Sequence, residues 1–163
     1  MKAIYFATTA LFLCLIAISG YAQDEKSKHL QDHKPLMNEV WKTFDLMMYK
    51  VTKTNGKTIY TPYFPPKLQQ LHGKRVQLKG YMIPIKSGVR HNSFLLSVLP
   101  LHQCMFCGQD GIPAMVQVTL SGDAKERARE HPITIIGVIS LNATDKNKTE
   151  ILLEKASMLS DRN

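Results

Sequence analysis

Interior glycines in two predicted strands constrain the fold of this chain more than any other feature. Residues 75–85 alternate in polarity until Gly80 interrupts the pattern, and residues 132–141 contain Gly137. A glycine inside a strand marks a bulge or a sharp bend, which a small barrel needs where a strand curls. Further short β-prone runs cover residues 93–99, 115–120 and 149–156. Together they predict an all-β chain with minor helical content, folded as a small, curled, antiparallel barrel.

A β-hairpin is predicted ahead of these strands. Residues 49–54 and 57–61 are β-prone and alternate in polarity, and Asn55-Gly56 joins them. Asn-Gly accepts the positive φ values of a type I′ turn, whose twist matches that of paired strands. The prolines that follow end the second strand and open one short helix, which ends at Gly73.

Three other segments complete the predicted elements. Residues 38–48 are apolar and fit either a short helical turn or an entering strand, whereas residues 124–130 are highly charged and fit an exposed helical turn. Tyr60, Tyr63 and Phe64 fit either a stacking platform of the kind that OB-folds use or a cap on the core. Because Tyr63 and Phe64 follow Tyr60 by three and four residues, beside prolines, we expect them to cap the core.

The first 22 residues have the pattern of a secretory signal peptide. Lys2 supplies a positive charge, an apolar run follows, and a Gly-Tyr-Ala stretch predicts cleavage after Ala22. A membrane anchor is the alternative, but the apolar run is short for a spanning helix. We therefore expect a periplasmic or secreted protein with a flexible leader at residues 23–37, a barrel domain at residues 38–160 and no integral membrane segment after cleavage.

Composition and motifs exclude several classes of function. The chain of 163 residues carries a formal net charge of +8, but its basic residues are scattered and form no nucleic-acid-binding arm. We therefore expect no nucleic-acid partner. The sequence contains no P-loop, no G-x-S-x-G and no H-E-x-x-H motif, and no apolar run holds a pair of carboxylates. These absences favour a protein without enzymatic activity.

Soft and basic ligands concentrate in residues 101–108 (LHQCMFCG). Two thiolates separated by two residues, Cys104 and Cys107, can reach one metal ion from a tight turn, and His102 adds an imidazole. Met105 adds a thioether, which favours Cu(I) over Zn(II) if it turns inward. A closed zinc site needs four ligands, so a further residue would complete it; the candidates are His72, His91, Asp110 and His131.

The same cysteine pair permits two other interpretations. A disulfide between Cys104 and Cys107 would close a very small loop and would shape that loop more than it stabilises the fold. Catalytic thiol–disulfide exchange is the third interpretation, but such centres place the pair at a helix N-terminus, and here a strand follows.

A family resemblance joins these segments. Residues 71–85 (LHGKRVQLKGYMIPI), residues 94–97 (FLLS), the cysteine loop and residues 137–141 (GVISL) occur in a recognisable order. In this order the chain resembles, over residues 41–159, an uncharacterised family of exported bacterial proteins. The resemblance implies an OB-like β-barrel in the cell envelope. Some relatives occur beside metal or lipoprotein-type ABC transporter components. Phe106 stands where many relatives carry a histidine, and Cys107 follows it.

The sequence thus predicts an exported, non-enzymatic binding or accessory protein with an OB-like barrel. The expected metal ligands are Cys104, Cys107 and His102, and the expected ion is zinc or copper. The expected partner is an envelope protein complex or an ABC transporter component. One alternative is a disulfide-shaped interaction module of an envelope complex, and a second is a thiol–disulfide oxidoreductase.

Overall fold

A computed structural model of the chain describes residues 36–100 and 114–159. The predicted signal peptide and the predicted leader up to residue 35 lie outside the described residues. The described elements are, in chain order, α1 (Glu39–Phe44), β1 (Met48–Thr54), β2 (Lys57–Tyr63), α2 (Pro66–Gln69), β3 (Arg75–Pro84), β4 (Ser93–Ser97), β5 (Met115–Leu120), β6 (Ile133–Leu141) and β7 (Ile151–Leu159).

Five strands close into a barrel. Their order is β3-β4-β5-β7-β6, and β6 pairs with β3 to complete the circle. This is the five-stranded Greek-key arrangement of an OB-like barrel, so the predicted fold class is confirmed. Four of the five strand pairs are antiparallel, whereas β5 and β7 run parallel. The alternation of side chains does not reveal that parallel pair, because it is the same for both directions.

Gly80 lies at the point where β3 exchanges one neighbour for another. Residues 75–80 of this strand pair with β6, and residues 81–84 pair with β4. A Cβ atom on Gly80 would lie 2.7 Å from the backbone oxygen of Ser97. The strand curls here because two backbones approach more closely than any side chain allows, as the sequence predicted.

Gly137 lies at a bulge between β6 and β7. The pairing register of these strands shifts between Ile136 and Val138. A Cβ atom at this position would lie 2.7 Å from Cγ of Leu153. The second interior glycine therefore also marks a break in regular pairing, and the prediction is confirmed.

The barrel interior and both short helices share one hydrophobic core. Inward-facing side chains alternate along β5 and β6, as a half-buried sheet requires. Trp41 of α1 is fully buried, and its indole N–H donates a hydrogen bond of 3.0 Å to the backbone oxygen of Lys79. The side chain of Asn38 caps α1 by accepting a hydrogen bond from the backbone N–H of Trp41. The hydrogen bond from Trp41 to Lys79 fixes α1 against β3.

Three local predictions are corrected or refined. The segment at residues 38–48 forms α1, so the described chain has two short helices where the sequence predicted one. Residues 124–130 are not helical, because Glu126 instead exchanges backbone hydrogen bonds with His91 in an isolated β-bridge. Leu36, within the predicted leader, already donates a backbone hydrogen bond to Val98.

Candidate functional site

The predicted metal ligands belong to the connection between β4 and β5. His102, Cys104 and Cys107 lie outside the described residues, and so does Asp110. The barrel residues on either side are described: the backbone N–H of Val98 donates a hydrogen bond of 3.3 Å to the backbone oxygen of Ala114. The cysteine loop therefore leaves the barrel and returns to it at neighbouring positions.

The connection between β6 and β7, residues 142–150, lies at the end of the barrel where the cysteine loop joins it, next to Val98 and Ala114. β7 runs parallel to β5, so both strands begin at one end, where Gln117 pairs with Leu152. The side chain of Gln117 also accepts a hydrogen bond from the backbone N–H of Thr149. We call this the cysteine-loop end. Residues 85–92 and 121–132 form the connections at the opposite end, where His91 bridges to Glu126.

Asn142 organises the loop of residues 142–150. Its amide nitrogen donates to the backbone oxygens of Asp145 at 2.7 Å and Thr149 at 3.1 Å. Its side-chain oxygen accepts from the backbone N–H groups of Thr144 and Asp145 at 3.2 and 2.9 Å. One side chain thus satisfies several backbone groups of the loop, which fixes its shape.

The β1–β2 hairpin contacts this loop through one polar pair. The phenol hydroxyl of Tyr49 donates a hydrogen bond of 2.5 Å to a carboxylate oxygen of Glu150. This hydrogen bond, together with partial burial, raises the pKa of Tyr49 to about 12. The rings of Tyr49 and Tyr60 meet edge to face, with centroids 6.4 Å apart. Tyr49, Tyr60 and Pro62 of the hairpin and the loop of residues 142–150 enclose a groove of ≈ 270 Å³.

The aromatic residues at 60, 63 and 64 have three different environments. Phe64 packs against the core, as the sequence predicted. Tyr60 is 63% exposed and faces the groove, so the prediction that it caps the core is wrong. Tyr63 lies on the other face of the hairpin, where the ammonium group of Lys50 is 4.8 Å from its ring centroid. Alternation alone could not separate these roles, because it shows which residues share a face but not what covers that face.

The histidines considered as additional ligands are spread over the barrel. His91 and His131 precede β4 and β6 at the opposite end from the cysteine loop. His72 lies at the cysteine-loop end, but its Nδ1 accepts a hydrogen bond of 3.1 Å from the backbone N–H of Leu141. A neutral imidazole that accepts at Nδ1 carries its proton on Nε2 and offers no lone pair there to a metal ion. Among the described residues, no three His, Cys, Asp or Glu side chains form a metal-binding group.

In comparisons with known proteins, no family model, no curated protein and no solved structure matches the chain. No helix within residues 36–100 and 114–159 is both long enough and apolar enough to cross a membrane.

Proposed function

We propose that this chain is an exported, non-enzymatic accessory protein that binds one zinc or copper ion through Cys104, Cys107 and His102. The observation that supports this function is the hydrogen bond between Val98 and Ala114. It joins the two ends of the ligand-bearing loop on a closed barrel. The three soft or borderline donors lie within six residues of sequence, so a single tight turn would bring them to one ion.

The donors of the cysteine loop are compatible with either ion. Two thiolates and one imidazole suit zinc, which takes a fourth ligand or keeps an open position. The thioether of Met105 shifts the preference toward Cu(I), because soft sulfur ligands select that ion. His72 is a poor fourth ligand, since its Nδ1 accepts from Leu141. We therefore expect three ligands from this chain, and a fourth, if the ion is zinc, from water or a partner.

A partner in the cell envelope is the second part of the proposal. The cysteine-loop end also carries the exposed hairpin and the groove beside Tyr49, so one end of the barrel offers both a ligand loop and a contact surface. An accessory protein of an envelope complex or of an ABC transporter component would use these two features together.

The test measures thiols and metal on one sample. The mature protein is purified anaerobically from its native compartment, without chelator or reductant, then alkylated for mass analysis and assayed for bound elements. Two alkylated thiols with about one equivalent of zinc or copper would agree with the proposal, because the metal keeps both thiolates reduced. An oxidised pair without metal would contradict it and favour the disulfide-shaped interaction module.

Paired variants identify the ligands. Cys104→Ser and His102→Ala should each lower bound metal. The matched control is His131→Ala, since this histidine lies at the opposite end of the barrel, and it should leave the metal content unchanged. Insulin reduction by the metal-free protein would point instead to the thiol–disulfide oxidoreductase.

A further inference from the structure

The β1–β2 hairpin leaves a large apolar face uncovered. All seven residues of β1 are exposed, and so are the first five of β2. Because Tyr49 pairs with Pro62 and Val51 pairs with Tyr60, these four side chains share one face. The exposed fractions are 45% for Tyr49, 55% for Val51 and 63% for Tyr60. Clustered exposed apolar side chains of this kind mark interaction surfaces.

The same face borders the groove. Tyr49, Tyr60 and Pro62 line one wall, and the loop that Asn142 organises lines the other. Tyrosine is enriched in interface hot spots, because its rigid ring buries a large area at a small cost in conformational entropy. The hydrogen bond from Tyr49 to Glu150 holds the two walls together, so the groove is formed before any ligand arrives.

The charge around this face favours an anionic ligand. On this face the hairpin carries Lys53 and no acidic residue, because Lys53 pairs with Thr58 two positions beyond Val51, whereas Lys50 and Lys57 lie on the other face. The loop of residues 142–150 adds Lys146 and Lys148. The acids in the same two segments are Asp145 and Glu150. A second copy of this chain would bring lysines against lysines, and like charges across an interface are unfavourable. An acidic partner meets a complementary surface.

The distribution of apolar residues favours a polypeptide over a membrane. The tip of the hairpin is Lys-Thr-Asn-Gly-Lys (residues 53–57), so it has no apolar side chain to insert into a bilayer. The apolar residues lie nearer the barrel, beside the groove. Within residues 36–100 and 114–159, no third strand pairs with either edge of the hairpin. Free edges offer backbone N–H and C=O groups to an extended polypeptide.

We infer that the face formed by Tyr49, Val51, Tyr60 and Pro62 docks an extended, acidic segment of a partner protein. The tyrosines anchor its apolar side chains, and the lysines attract its carboxylates. This docking does not depend on a metal ion in the cysteine loop. The experiments can therefore refute the docking and support the metal site, or refute the metal site and support the docking.

The test uses peptides of defined charge and the full mature chain, with and without added metal. The probe is a ten-residue peptide of alternating Glu and Val, and the matched peptides replace every Glu with Gln or with Lys. Amide chemical shifts in NMR titrations report both affinity and location. We expect the Glu peptide to shift residues of the hairpin and of the 142–150 loop, and the Gln peptide to bind more weakly. The Lys peptide should not bind.

Two hairpin variants and two controls test the assignment. Tyr60→Ser should weaken binding about tenfold or more, as the loss of an aromatic anchor does, and Lys53→Glu should weaken it and flatten its salt dependence. Val89→Ser and Lys86→Glu change an exposed apolar and a basic residue in the loop between β3 and β4, at the opposite end of the barrel, and should leave binding unchanged.

Three outcomes would overturn the inference. The first is equal binding of all three peptides, and the second is absence of shifts in the hairpin at peptide concentrations up to about 1 mM. The third is binding to vesicles of phosphatidylglycerol and phosphatidylcholine without binding to the Glu peptide, which would assign the surface to a membrane. Far-ultraviolet circular dichroism of each variant shows that a loss of binding is not a loss of fold.

Discussion

Tyr49 and Glu150 are 101 positions apart in the sequence, and one hydrogen bond between their side chains links the hairpin to the barrel. The phenol donates and the carboxylate accepts. This geometry stabilises the protonated phenol, so the hydrogen bond is also a titratable contact between the hairpin and the 142–150 loop.

The first prediction concerns the pH dependence of this contact. The hydrogen bond to Glu150 is the main cause that raises the pKa of Tyr49 from 10.0 to about 12. A pKa raised by folding gives stability that is fully present below about pH 10 and is lost as the pH rises toward 12. Because Tyr49 is largely exposed, we expect the contribution to be below about 1 kcal/mol. Glu150→Gln should lower the pKa of Tyr49 toward 10.0, as measured by NMR of labelled tyrosine rings, and an unchanged pKa would refute this cause.

The second prediction compares a glycine that is needed because a neighbouring atom leaves no room for a Cβ with one that is needed because its φ is positive. Gly80→Ala should lower the free energy of unfolding by about 3 kcal/mol, because the new methyl group meets the backbone oxygen of Ser97, which cannot move freely. Gly122→Ala is the comparison, since Gly122 has a φ of +55° and no atom within 4 Å of the added Cβ. It should cost only about 1 kcal/mol. Urea denaturation followed by circular dichroism measures both, and equal losses would contradict the argument.

The third prediction tests how α1 is fixed to β3. Trp41→Phe removes the buried hydrogen bond to the Lys79 carbonyl and part of the side-chain volume, so we expect a loss of about 2 kcal/mol in unfolding free energy. Asn38→Ala removes the helix cap and should cost about 1 kcal/mol. Tyr60→Phe changes an exposed aromatic residue and should stay within about 0.5 kcal/mol of the wild type. A Trp41→Phe protein as stable as this control would show that the indole N–H contributes little.

The fourth prediction concerns the loop that Asn142 holds. Asn142→Ala removes the side-chain hydrogen bonds to Thr144, Asp145 and Thr149, so we expect a loss of about 1 kcal/mol and a more mobile loop. Asn147 enters the same network through its backbone N–H, so Asn147→Ala is the matched control and should change neither quantity. Backbone amide exchange across residues 142–150 measures the loop directly. Equal exchange in both variants would show that the Asn142 side chain does not fix it.

Some features of the fold follow from the sequence because one residue type answers one local demand. Asn55 and Gly56 have φ values of +50° and +72°, so the predicted turn is confirmed by the backbone that these residues accept. Gly80 and Gly137 mark a change of strand partner and a bulge for a similar reason. At each of these positions the backbone geometry requires a particular residue type, and that requirement is local, so it can be seen in the sequence.

Other features depend on contacts that no local pattern contains. The helical turn predicted at residues 124–130 is replaced by an extended bridge, because Glu126 finds a backbone partner in His91, far away in the sequence. The alternation in residues 49–54 predicts a strand correctly but not the exposure of Tyr49 and Val51, because exposure depends on what packs there. For the same reason, the sequence predicts Cys104, Cys107 and His102 as ligands but does not predict the groove between the hairpin and the loop of residues 142–150.

The place of β7 in the barrel has a consequence for the order of folding. This last strand pairs with β5 on one side and β6 on the other, so a growing chain cannot close the circle until residues 151–159 are available. Until then β5 and β6 each keep an unpaired edge. Contacts between distant segments slow folding, because the entropy of a long loop is lost before the contact forms. A chain that stops before Ile151 is therefore expected to remain open and prone to edge-to-edge aggregation.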